Sequence, residues 1–366
     1  MAERLAFLLG KDPATSHGGD MTMFRTMRSI ASERFATEVI CLSDQGDIDD
    51  PDTVRLHKPS VSLKQLAIRS LARRRSLVHT RFDVDALREA VEASSADRFV
   101  AVHSYMAESY LRAAGGNPGT DLLVSTEVPE SSVWQRTRGL AGRIEARRLR
   151  RDERRVAAAA RAVGGYDRDE MDAYRADGID AHWLPMTLAP VSPVDVAGAP
   201  PRLALLGNRT WPPNATAAES MLRLWPRIAT GISGAELWLI GPTRSGSASL
   251  PPGVSDLGSV EDLDVVLGQC RALVAPLTVG GGVRVKLLEA AARGLPVVAT
   301  SAAVGSIEAS LGMVPASDED DFVTRCRAYL LDAGRAAEDG SALHTVNAKR
   351  WSDRVGQDAV LEWLAA

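Results

Sequence analysis

The chain has 366 residues, more than one ordinary domain holds and enough for two compact units of roughly 150 to 200 residues each. Its 45% hydrophobic and 25% charged residues, with 30 Gly and 19 Pro, exclude a disordered or collagen-like chain. A net charge of −4 argues against a nucleic-acid-binding protein, whose affinity comes largely from excess Lys and Arg.

Apolar runs alternate with amphipathic stretches from the N-terminus onward. Arg4–Leu9 reads as a strand, Met21–Ala31 as a helix, and Thr37–Leu42, Arg98–His103 and Asp121–Ser125 as further strands. Trp134–Ala162 reads as one long Arg-, Glu- and Ala-rich helical region, followed by a helix over Asp167–Ala176 and a strand at Ala181–Pro185. Five prolines between Pro185 and Pro201 mark a linker, placed at residues 188–201, that ends a first domain of residues 1–187. A second alternating series fills residues 202–350: strands Arg202–Leu206, Glu236–Ile240, Val254–Leu257, Ala272–Ala275 and Pro296–Ala299, with helices Asn214–Ile228, Glu261–Gln269 and Arg284–Arg293. In the tail, Trp351, Val355, Val360 and Leu364 recur near helical spacing, so residues 351–366 read as an amphipathic closing helix. Strands separated by helices make parallel sheets, so the expected class is α/β with two Rossmann-like, doubly wound domains whose strand ends face a central cleft.

The three cysteines, Cys41, Cys270 and Cys326, have no paired spacing and read as core residues of a reduced compartment. No secretory signal and no run of 18 apolar residues is visible, so the chain reads as cytoplasmic. No Asp-x-Asp sits at the end of a predicted strand, so metal independence is expected.

The stretch from Ala275 to Thr300 carries the most chemistry. Gly280, Gly281 and Gly282 follow a buried strand and permit close approach of backbone N–H groups to a ligand. The helix is expected to start near Val283, placing Arg284 and Lys286 in its first turn, where the macrodipole disfavours cations by up to about 1 kcal/mol. An anion, a phosphate or diphosphate, would reverse that penalty. Lysine occurs five times in the whole chain, which makes one at this position informative. Glu289, about a turn further on, can accept from ribose hydroxyls; the alternative is an intrahelical pair with Arg293.

With those residues in view, three stretches, Leu205–Ala217, Leu257–Thr300 and the tail from Trp351, resemble glycosyltransferase family 4, retaining enzymes of the GT-B fold. The resemblance implies a nucleoside diphosphate sugar as donor in the second domain, no cofactor, and a final helix crossing back to the first domain. Glu289 matches the second glutamate of the family's E-x7-E motif, while the first falls on Gly281. The Arg and Lys that many members carry after the first strand of this domain fall on Asn208 and Pro213, leaving Arg209 as a secondary candidate. Arg284 and Lys286 would then take the diphosphate, and with Gly281 in place of the first glutamate no covalent glycosyl-enzyme is expected.

Further candidates follow from the same resemblance. Gly258 and Val260, either side of Ser259, resemble the loop packing on the nucleotide base, with helix capping by Ser259 as the alternative. Gly18 and Gly19 approach the donor phosphates from the first domain, and Val283 belongs to the donor loop. His103, directly after a strand, matches a family histidine near the transferred sugar; His17 and Glu127 are candidate acceptor contacts. The acceptor is a glycan, a lipid-linked molecule or a small molecule. Arg69, Arg73, Arg74 and Arg75 on an amphipathic stretch suggest peripheral contact with the inner membrane face. Rival readings are a nicotinamide-dependent oxidoreductase, whose G-x-G-x-x-G is not matched by Gly10, Gly18 and Gly19, and a non-catalytic nucleotide-sugar-binding protein.

Overall fold

A computed structural model describes residues 3–44, 50–115, 119–243, 249–279 and 282–366. Gly280 and Gly281, both candidate donor residues, lie outside this set. The chain divides into two units: Met1–Leu184 with Gly281–Val283 and Gln357–Ala366, and Pro185–Gly280 with Arg284–Gly356.

The first unit is built on strands β1 (Arg4–Leu9), β2 (Ala36–Ser43), β3 (Thr53–His57), β4 (Arg98–Val102), β5 (Gly119–Thr126), β6 (Ala160–Gly165) and β7 (Ala181–Trp183). Every pairing is parallel and the order is β3-β2-β1-β4-β5-β6-β7. Parallel strands are covered on both faces, which is why β1 reads as continuous Leu-Ala-Phe-Leu-Leu, every residue of it buried. The order reverses between β1 and β4, so a crevice opens beyond their carboxyl ends. That topology brings the residues after β1 and His103 to one place.

The second unit repeats the plan with β8 (Arg202–Leu206), β9 (Glu236–Ile240), β10 (Val254–Gly258), β11 (Ala272–Ala275) and β12 (Val297–Ala299), all parallel in the order β10-β9-β8-β11-β12. Its core gathers Leu203, Leu205, Met221, Trp225, Leu237, Val274 and Phe322, with Trp225 Nε1 donating to Pro252 O at 2.9 Å. Here the order reverses between β8 and β11, which juxtaposes the loop at Gly207–Trp211 with the loop leading to Lys286.

Several sequence expectations are corrected. Trp134–Ala162 is not one helix: it divides into Glu130–Thr137 and Gly139–Ala159, with Gly139 at φ 58°, and Ala160–Gly165 leaves the helix to form β6. Helix-favouring Ala residues mask this strand, whose conformation is set by pairing with β5 and β7. The strand β3 was not anticipated. The proline-rich stretch is counted with the second unit, because Val191 N and Val194 N donate to Ala292 O and Arg293 O at 3.0 and 2.9 Å, and Asn347 Nδ2 donates to Leu188 O at 3.0 Å. Trp351 lies in the last turn of the preceding helix, Ala333–Ser352, and the closing helix is Val355–Ala365.

Candidate functional site

In the second unit, the helix Val285–Arg293 starts one residue later than its pattern suggests, with Arg284 as N-cap, no side-chain capping bond and no acid in the first turn. Its leading N–H groups and dipole are therefore uncompensated by side chains. Lys286 projects from this turn and donates to Asn214 Oδ1 at 2.7 Å, while Asn214 Nδ2 donates to Asn208 O at 3.0 Å. The amide is thus oriented with its oxygen toward the ammonium. Burial, with no nearby carboxylate, pulls Lys286 down to about 8. Arg284 is buried, and its guanidinium lies over Gly305 (φ 48°), where any Cβ would collide with it.

Glu289 adopts the intrahelical alternative: its carboxylate accepts from Arg293, which also donates from Nε to Asp264 Oδ1 at 2.5 Å. Among the described residues only Oε2 is used, and Glu289 stays half-buried beside the first turn. Arg209 is buried and held in a fork by Asp256, at 2.7 and 2.5 Å, with a further bond of 2.6 Å to Gly241 O. The guanidinium holds the Asp256 carboxyl below its usual range, and Asp256 Oδ1 also accepts from Gly258 N at 3.0 Å. Arg209 therefore shapes the loop at Gly258, which has φ 61° and open space where a Cβ would stand. The helix beyond is Leu263–Leu267, capped by Asp262 and not by Ser259 or Glu261; Val260 is half-buried.

In the first unit, Gly18 (φ 131°) caps the helix Gly19–Ala31, and Asp20 in its first turn accepts from Lys11 Nζ at 2.6 Å instead of capping. His17 is exposed. His103 has φ 74° and ψ 141°, a region sparsely populated outside glycine, and such strain gathers at functional sites. Its ring stacks on Tyr105 at 5.0 Å and 9°, and Tyr105 on Phe82 at 4.4 Å. Dense packing pushes His103 down to about 4, so the imidazole is neutral at pH 7. Lys11, Asp20, Lys58, Phe82, His103 and Tyr105 surround a cavity of about 50 Å³. Lys58, Tyr105 and Asn214 were missed in the sequence.

Glu127 is only 2% exposed, and among the described residues neither carboxylate oxygen has a hydrogen-bond partner. Burial pushes it well above the usual range and Asp20 adds to this, while Ser125 pulls the other way without an aligned hydrogen bond. Burial also raises Glu130 to about 7, with Glu153 reinforcing it. Val283 N donates to Glu127 O at 2.9 Å, and a Cβ on Gly282 (φ 65°) would overlap that carbonyl, so this position admits only glycine.

The strand β6 does bring an Asp-x-Asp, Asp167 to Asp169, close behind a strand end, contrary to expectation. Asp167 is a helix cap, however, accepting from Asp169 N and Glu170 N. Among the described residues no three His, Cys, Asp or Glu side chains are grouped to hold a metal.

Residues 200–332 match the family model described as "Glycosyl transferases group 1". No curated protein sequence matches the chain. Among solved structures, sucrose-phosphate synthase from Thermosynechococcus elongatus aligns over 99% of this chain and 97% of its own, with TM-score 0.72 and 16% identity. WaaG, a glycosyltransferase involved in lipopolysaccharide biosynthesis, aligns over 97% and 98%, with TM-score 0.69 and 14% identity. HepE from Anabaena, solved in complex with UDP and glucose, aligns over 100% of both chains, with TM-score 0.64 and 14% identity. The two parallel-sheet units are Rossmann-like domains of the GT-B fold.

Proposed function

We propose that the chain transfers a sugar from a nucleoside diphosphate to an acceptor hydroxyl, as a retaining glycosyltransferase. The observation that carries this reading is Lys286: a half-buried cation with an amide for a partner, in the uncapped first turn of a helix that three glycines precede in the sequence. Such a site lacks only an anion. The match of residues 200–332 to group 1 glycosyl transferases supports the reading, as does the likeness to HepE solved with UDP and glucose.

In this reading Lys286, Arg284 and the helix N–H groups stabilise charge developing on the departing diphosphate, preorganised and without need of a metal. Glu289 offers Oε1 to the ribose, and Arg209 holds the Gly258 loop against the base. Neutral His103 presents a donor or acceptor to the transferred sugar, and Glu127, when protonated, can donate to an acceptor oxygen. With glycine in place of the first E-x7-E glutamate, a front-face route fits best, in which the acceptor hydroxyl passes its proton to the departing phosphate oxygen. The acceptor is a glycan, a glycolipid or a small molecule.

The test is a melting-temperature screen against nucleoside diphosphates, nucleosides and nicotinamide dinucleotides. A diphosphate should stabilise the protein, and Lys286→Ala should remove most of that shift while leaving any nucleoside shift in place. Stabilisation by nicotinamide dinucleotides alone overturns the proposal. Binding without turnover of any donor sugar, in the presence of a lipid extract, would favour a non-catalytic binding protein.

A further inference from the structure

The first unit has a face that the fold leaves uncovered. The helix Leu63–Ala72 buries only Leu66 and Ser70 and leaves Leu63 (83% exposed), Ile68 and Leu71 in solvent. The helix Gly139–Ala159 exposes Leu140 (76%) and Ile144 near its start. The two helices are fastened together: Arg148 Nη2 donates to Ser70 O at 3.1 Å and Ser70 Oγ at 2.7 Å, and Arg151 donates to Arg74 O. Ile144 stands one turn, about 6 Å, before Arg148 on the same stripe, and Leu140 one turn before that. Leu63, Ile68 and Leu71 thus share one helix, and Leu140 and Ile144 lie on the helix whose Arg148 is fastened to it. Among the described residues, Leu331 is the only other exposed Leu or Ile. Scattered apolar residues are ordinary on a surface, but a gathered set marks an interaction site.

The charges around the patch identify what it meets. Lys64, Arg69, Arg74, Arg143 and Arg147 are exposed between these aliphatics, and among the described residues none of their side chains makes an ion pair. By contrast, the exposed Arg223 and Arg227 are both paired with Glu319. Residues 61–75 contain no Asp or Glu, although the chain as a whole carries a net charge of −4. The helix is held formed by its own capping box, Ser62 with Gln65, so the face exists before anything binds. Among the described residues no helix is long and apolar enough to cross a membrane.

We infer that this face docks on an anionic lipid surface, with Leu63, Ile68, Leu71, Leu140 and Ile144 entering the interfacial layer and the five cations lying among the headgroups. Apolar side chains ringed by unpaired cations match both components of such a surface. The inference stands independently of the proposed reaction.

The test is co-sedimentation of the full chain with phosphatidylcholine vesicles and with vesicles containing phosphatidylglycerol. The protein should bind the anionic vesicles, with partition falling as salt rises. Arg69→Gln and Arg74→Gln should each reduce partition about fivefold. Leu71→Ser with Leu140→Ser should abolish binding even at low salt, and Leu331→Ser should leave it unchanged. Unaltered melting temperatures establish that these surface variants fold. Absence of binding to anionic vesicles overturns the inference, as does equal binding to both vesicle types. A dimer in light scattering that the leucine substitutions dissolve would also overturn it, by showing that a second copy covers the face.

Discussion

Lys286 shows how a single side chain can be set for an anion. Removing it from water costs the charged form, and only the Asn214 oxygen offsets that cost, so the ammonium titrates near 8 instead of in its usual range. A bound diphosphate favours the charged form and must raise this value, so binding takes up protons where the free site is half neutral. At pH 8, calorimetry of UDP binding in two buffers of different ionisation enthalpy should show uptake of about half a proton, and affinity should fall as pH rises further. Lys286→Met should abolish the uptake; uptake that persists would assign it to another group. Asn214→Ala removes the hydrogen bond that aims the ammonium and should weaken UDP binding roughly tenfold, the equivalent of one hydrogen bond to a charge. Glu130 titrates in the opposite sense. Its folded value of about 7 exceeds the ordinary 4.5, so its stabilising protonated form is fully present below 4.5 and lost as pH rises through 7. Glu130→Gln should therefore match the parent in melting temperature near pH 4.5 and exceed it at pH 8.

At the scale of elements, the strands of the second unit were the most legible part of the sequence. The strands β8, β9 and β11 are bounded as their apolar runs suggest, because buried parallel strands must be apolar throughout. What pattern could not convey was pairing. The segment forming β6 becomes a strand because β5 and β7 flank it, and reading it as helix hid the Asp-x-Asp behind it. Long-range side-chain partnerships were equally hidden, since Arg209 and Asp256 are far apart in sequence, whereas the pair of Glu289 with Arg293, four residues apart, was open to the spacing. Lysine scarcity singled out Lys286, yet the same scarcity applies to Lys11 and Lys58, which line the first unit's cavity. The ends of β8 and β9 meet at Gly207 and Gly241, where φ is 116° at Gly241 and a Cβ would overlap the Gly207 carbonyl. Gly241→Ala should therefore cost about 2 to 4 kcal/mol in stability, from backbone strain and displaced neighbours, and weaken donor binding by shifting Asn208. A variant with unchanged melting temperature would mean that the two strand ends tolerate separation.

The whole chain is organised so that its last residues complete the unit in which it began. Val360, Leu361, Trp363 and Leu364 are buried, and the Trp363 ring lies where a Cβ on Gly164 of β6 would stand, 2.7 Å from its nearest atoms. Arg98, at the start of β4, donates to Leu364 O and Ala366 O, both at 2.9 Å. The amphipathic spacing of the tail was readable, but its target was not, because a helix's apolar stripe does not say which sheet it will cover. If the tail is an integral part of the first unit's core, its loss must weaken that unit and leave the other intact. Trp363→Ala should cost about 3 to 5 kcal/mol, the usual penalty for emptying a large aromatic site. The indole Nε1 has no hydrogen-bond partner among the described residues, so Trp363→Phe forfeits no polar contact and should cost far less. Scanning calorimetry with and without UDP separates the units, since a ligand held by Lys286 raises the transition of the second unit. Trp363→Ala should lower the transition that UDP does not move. A common fall of both transitions would instead mean that the two units unfold as one cooperative body.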